Sequence, residues 1–82
     1  MTISEINKYL MENGIYAEYI TNFHNIESVI LVCIDGDWKH DHGYLDYLMA
    51  EKGYKKLIEK VTNEDGSDWY ESVHTFIQLN NI

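Results

Sequence analysis

Two short segments hold most of the residues in this chain that could do chemistry. One is Asp35-Gly36-Asp37-Trp38-Lys39-His40-Asp41-His42; the other is Glu64-Asp65-Gly66-Ser67-Asp68-Trp69-Tyr70-Glu71. Each joins an Asp-Gly turn to further aspartate and a tryptophan, and together they hold seven of the fourteen carboxylates in sixteen residues (35, 37, 41, 64, 65, 68 and 71). Aromatic anchors ringed by charge are where interface energy concentrates, and carboxylates steer a basic partner towards them. Asp35, Asp37, Trp38, Asp41, Glu64, Asp65, Asp68, Trp69, Tyr70 and Glu71 are therefore the candidate partner-binding residues. A small acidic protein can also fill a nucleic-acid groove by setting carboxylates where phosphates would lie. The plain alternative is that aspartate and glycine are turn residues and each tryptophan belongs to the core at a strand end.

Other chemistries draw on the same segments. His40 and His42, with Asp35, Asp37 and Asp41, are competent zinc or manganese ligands. Positions i and i+2 do not share a helical face, so the histidines could converge only in a loop. Asp41 is equally explained as a first-turn residue favoured by the helix dipole. The expectation is no metal and no cofactor, with His40 and His42 as the alternative site. Asp37-Trp38-Lys39 has the acid-x-Lys pattern of metal-dependent nucleases, with Asp35 or Glu18 as companion, but an acidic chain repels DNA. Cys33 lies inside the apolar run 29–34 and reads as buried and inert. Ser72 and His74 share a strand face without an evident third member. No catalytic residue is expected.

The whole composition narrows the partners. Eighty-two residues make one domain, 1–82, with a modest core. Fourteen acidic residues face six lysines and no arginine, for a net charge of −8. Lacking the residue best suited to phosphate and guanine, and carrying a repulsive field, the chain is not expected to bind nucleic acid or an anionic membrane. The expected partner is a basic surface on another protein, including one that itself binds nucleic acid. No apolar run approaches the roughly 20 residues that span a bilayer. The opening MTISEINKYL lacks the basic region of a secretory signal, and the single cysteine suits a reducing cytosol, so a cytoplasmic setting is expected. Frequent Ile, Asn, Lys and Tyr fit an AT-rich coding genome, compatible with a bacterium or phage.

The elements that must position these residues follow from local signals. Thr2 and Glu5 have capping-box spacing, Ile3, Ile6 and Leu10 share a helical face, and Gly14 stops the helix. A strand is predicted over 15–22, a turn at Phe23-His24-Asn25, and a central strand over 29–34 buried on both faces. A second helix over 41–52 buries Tyr44, Leu45, Leu48 and Met49. Strands over 54–62 and 69–79 follow, the latter with Val73, Thr75, Ile77 and Leu79 on one face. Lys52, Lys55, Lys56 and Lys60 read as a solvated edge. Tyr9-Leu10-Met11-Glu12-Asn13-Gly14 is echoed by Tyr47-Leu48-Met49-Ala50-Glu51-Lys52-Gly53, which suggests a tandem duplication with halves 1–39 and 40–82.

The expected fold is α+β: an αββ-αββ repeat with one four-stranded, largely antiparallel sheet and two helices on one face. This order also arises when a ferredoxin-like βαββαβ fold is cut after its first strand and that strand moves to the end. The crossover through the second helix would make strands two and three parallel. Their exits would then share one edge, joining the two acidic segments. The predicted function is a non-enzymatic acidic binder or inhibitor. By size and acidity the nearest class is that of small phage-encoded anti-defence proteins, including anti-CRISPR-like and nucleic-acid-mimicking ones, an analogy of class. The alternatives are a module that forms homodimers through its open sheet face, and a small metal-binding protein.

Overall fold

The computed structural model describes residues 1–64 and 68–79, Glu64 by its backbone alone. Helix α1 spans Ile3–Glu12 and begins with a complete capping box. Glu5 N–H donates to Thr2 Oγ1 at 3.1 Å, and Thr2 N–H donates to Glu5 Oε1 at 2.8 Å. Its inner face buries Ile6 and Leu10, and Gly14 leaves it at φ +85°. The sequence predicts a strand from residue 15, but residues 15–18 are not strand: Ile15 is drawn into the core and its N–H donates back to Leu10 O at 2.9 Å.

Strand β1 (Tyr19–Phe23) turns tightly into β2 (Ile26–Asp37) through His24 and Asn25, at φ 47° and 63°. Two successive positive φ values are what a two-residue hairpin turn of matched twist requires, and asparagine tolerates them. From the end of β2, Trp38–His42 makes a π-helical turn that leads into α2 (Gly43–Glu51). The sequence predicts a regular helix from residue 41; instead the wide turn runs through His42, brings it into the core and leaves Tyr44 exposed. Strand β3 (Tyr54–Glu64) and strand β4 (Trp69–Gln78) complete the α-β-β, α-β-β order.

The sheet order is β1-β2-β4-β3, with every neighbouring pair antiparallel. Strands β2 and β3 therefore run parallel with β4 between them, and their C-terminal ends lie at the same end of the sheet. The register defines two faces. Ile20, Val32, His74 and Glu59 align on the helix side, whereas Tyr19, Cys33, Val73 and Lys60 align on the other. The core lies between the first face and both helices, joining Ile6 and Leu10 to Leu45, Leu48 and Met49 over Ile30, Val32, Ile34 and Phe76. Principal extents of 41 × 25 × 18 Å fit one sheet and one helix layer, which leaves the second sheet face uncovered.

Two expectations reverse here. Strand β2 is central, but its second face is only partly covered: Val29 and Leu31 are half-buried and Cys33 alone is fully so. In β4 the buried face is Tyr70, Ser72, His74 and Phe76, not Val73, Thr75 and Ile77. The polar members of that face satisfy one another, which removes the cost of burying them. No helix among the described residues is long and apolar enough to cross a membrane.

Candidate functional site

The two acidic segments meet at one end of the sheet. Asp35, Gly36 and Asp37 pair with Glu71, Tyr70 and Trp69, and Glu64 pairs with Tyr70 from the other side. The Trp38 N–H extends the ladder by donating to Asp68 O at 2.7 Å. Asp65, and the side chain of Glu64, lie outside the described residues.

The side chains nevertheless divide into separate roles. Trp38 is 50% exposed and lines a cavity on the helix side, while Trp69, 46% exposed, falls by the pleat on the open face, so the two indoles do not form one patch. Tyr70 is buried rather than a surface anchor: its ring stacks on His42, with centroids 4.5 Å apart, and its hydroxyl donates to Glu59 Oε2 at 3.4 Å. Asp37 caps the π-helical turn, accepting from Lys39 N–H at 2.8 Å and His40 N–H at 3.2 Å. Asp41 accepts from the Asp37 N–H at 2.9 Å. Those two carboxylates build the turn. His40 is exposed and His42 is buried with both ring nitrogens engaged internally, so they do not converge on a metal.

What remains at the surface is a carboxylate cluster on the open face. A hydrogen bond from the Glu18 carboxyl to Glu71 raises Glu18 above its ordinary value, with burial and the charges of Glu71 and Asp35 adding to it. Glu71 is held low, first by Thr62, whose hydroxyl donates to Glu71 Oε1 at 2.6 Å, and then by Glu18. The Cys33 thiol donates to Glu18 Oε2 at 3.8 Å; burial, then the charges of Glu71 and Glu18, push it up to about 11. Among the described residues no lysine pairs with Glu18, Asp35 or Glu71.

A second group lies beneath α2, on the helix side. Ser72 Oγ sits 2.8 Å from His42 Nδ1 and 2.8 Å from His74 Nε2, and those nitrogens are 3.1 Å apart. All three residues are buried. His42 Nε2 faces two carbonyl acceptors, Tyr70 O at 3.1 Å and Gly36 O at 3.3 Å, so it carries that ring's hydrogen. His74 Nδ1 faces carboxylates, Asp46 Oδ1 at 3.1 Å and Glu59 Oε1 at 3.4 Å. Lys56 Nζ bridges the same pair, 2.7 Å from Asp46 Oδ2 and 3.1 Å from Glu59 Oε1. Burial alone would raise Asp46, but hydrogen bonds from His74 and Lys56 outweigh it and hold the carboxyl below its ordinary value. Burial alone would lower Lys56; its two carboxylate partners instead raise it. A cavity of about 300 Å³ opens onto this group between Trp38, Lys39 and Gly43.

The Asp46–His74–Ser72 order has the connectivity of a nucleophilic triad. Ser72 is 0% exposed, however, and its hydroxyl bridges two rings instead of facing the cavity. No substrate can reach it in this arrangement. Sequence reasoning missed Asp46, Glu59 and Lys56 because Asp46 comes from α2 and Lys56 and Glu59 from β3, with no shared spacing. The signal that could have found the site was the alternation Tyr70-Ser72-His74-Phe76, two polar residues flanked on one face by large aromatics.

No protein-family model, curated protein or solved structure matches the chain.

Proposed function

We propose that this chain is a small, non-enzymatic acidic binding protein that grips a basic protein surface with the open-face side of its acidic sheet end. The observation that carries this reading is the close approach of the Glu18 and Glu71 carboxyl groups, with the Asp35 charge acting on Glu18. Crowded acidic groups with no lysine beside them among the described residues oppose folding as they ionise; a cationic partner would relieve that repulsion. Tyr19 and Trp69 flank the cluster on the same face and supply rigid aromatic area. The half-exposed Val29, Leu31, Val73 and Ile77 continue the face inward as an apolar centre.

A partner of this description is a nucleic-acid-binding protein, whose basic groove the carboxylates would occupy in place of phosphates. The chain would then act as an inhibitor, in the manner of small phage-encoded anti-defence proteins. The test compares proteins captured from a host lysate by the native chain and by Asp35→Lys/Asp68→Lys, with duplex DNA as competitor. The reading expects capture that charge reversal abolishes, rising salt weakens and DNA displaces. Capture that survives the reversal would sink it.

A further inference from the structure

We infer that Asp46, Glu59 and His74 form a binding site for one divalent first-row transition ion, with zinc as the reference ion, and that the Lys56 ammonium holds its place in the ion-free protein. The site is separate from the carboxylate cluster on the open face and rests on different residues. One imidazole and two carboxylates are a ligand set suited to zinc or manganese. Their donor atoms already lie within 4.8 Å of one another. The 3.1 Å and 3.4 Å separations of His74 Nδ1 from the two carboxylates bracket the roughly 3.3 Å expected between ligands around a tetrahedral zinc with bonds near 2.0–2.1 Å. Lys56 Nζ, touching both carboxylates, shows that a cation is already accommodated there.

The buried triangle behind His74 supplies an independent argument. His42 Nε2 carries that ring's hydrogen, so His42 Nδ1 can only accept. If His74 holds a single hydrogen, on Nδ1 towards the carboxylates, its Nε2 can only accept as well. Two lone pairs then face each other at 3.1 Å with one hydroxyl hydrogen between them, one donor short. An ion bound at Nδ1 completes the network: the single hydrogen then sits on Nε2, His74 Nε2–H donates to Ser72, whose hydroxyl donates to His42 Nδ1, and His42 donates to the carbonyls. This is the outer-shell chain that orients a ligating histidine.

The exchange replaces one cation by another: in the ion-free site the Lys56 ammonium lies against both carboxylates, and in the loaded site a dication takes that place while Lys56 swings into the cavity mouth beside Trp38 and Lys39. The remaining coordination positions face that cavity and would be filled by water. The competing cluster of Glu18, Cys33 and Glu71 is a poorer zinc site, because its thiol is pushed up to about 11 and a bound thiolate must first lose that proton.

The test is calorimetric titration of zinc chloride into the metal-free protein, with the His74 ring signals followed by NMR. The expected result is one ion per chain and a shift at His74. Glu59→Gln and Asp46→Asn each weaken binding by at least about tenfold, Lys56→Met tightens it, and His40→Ala and Cys33→Ser leave it unchanged. Glu59 and Lys56 lie at the cavity rim, so those two variants keep the test valid if Asp46→Asn does not fold. Absence of saturable binding, an unmoved His74 signal, indifference to Glu59→Gln, or loss of binding in Cys33→Ser would each overturn the assignment.

Discussion

At the scale of single residues, two fully buried groups make opposite demands on their surroundings. Ser72 is held by what it connects: its hydroxyl is the one side-chain group touching both His42 Nδ1 and His74 Nε2. Ser72→Ala removes that bridge and strands ring nitrogens where water cannot replace it, at a cost of about 1–3 kcal/mol. Urea denaturation should show this as a lower midpoint with an unchanged slope. Cys33 is held by what it lacks, since burial and neighbouring carboxylates both disfavour its thiolate. An acid raised in the folded state keeps its proton after the unfolded chain has lost it. Stability on this account is fully present below the ordinary thiol value of 9.0 and is lost as pH climbs towards about 11. The native thiol should accordingly resist a disulfide reagent at neutral pH and react only on unfolding; prompt reaction would show that Cys33 is reached from the open face.

At the scale of elements, the π-helical turn decides where the site residues go. It depends on a close approach at Gly36, where an added Cβ would stand 3.0 Å from Asp41 Cβ and Cγ. Gly36→Ala must push Asp41 away from the Asp37 N–H and loosen the turn, costing about 1–3 kcal/mol. Thermal melts would measure the loss, and the altered emission of Trp38 would place it at the turn; an unchanged melt would mean that Asp41 moves freely. Neither the turn nor its product was legible in the sequence. Capping at Thr2 and Glu5, the β-branched run of β2 and the Asp-Gly strand exits are written in local spacing, so α1, the hairpin order and the meeting of the acidic segments could be read. A five-residue wide turn has no period to betray it, and it reorients His42 without changing any neighbour's type. In β4 the face of Val73 and Ile77 looks like the core by hydropathy. The true core face is fixed by Phe76 together with the mutual satisfaction of Ser72 and His74, which is a three-dimensional fact. Phe76 is 0% exposed, and Phe76→Ala should cost about 3–5 kcal/mol, much of what a domain this small possesses.

At the scale of the whole molecule, a net charge of −8 and an uncovered apolar sheet face pull in opposite directions. The apolar face favours covering by any sheet or groove of matching shape. The charge opposes covering by a second copy, because stacking two open faces brings two Glu18–Glu71–Asp35 clusters into each other's field. Repulsion of this kind is felt over the Debye length, about 10 Å at 0.1 M salt, and fades as salt is added. Attraction to a basic partner fades in the same way, so salt shifts the two associations in opposite senses. Sedimentation velocity on the isolated chain should show a monomer at low ionic strength, with self-association only as salt rises. The Val73→Lys variant should suppress that association by placing an ammonium at the centre of the face. Captured partners should behave inversely, binding best at low salt. A dimer already formed at low ionic strength, and dispersed by Val73→Lys, would mean that the face evolved to meet its own copy; the carboxylate cluster would then be a rim keeping other proteins away.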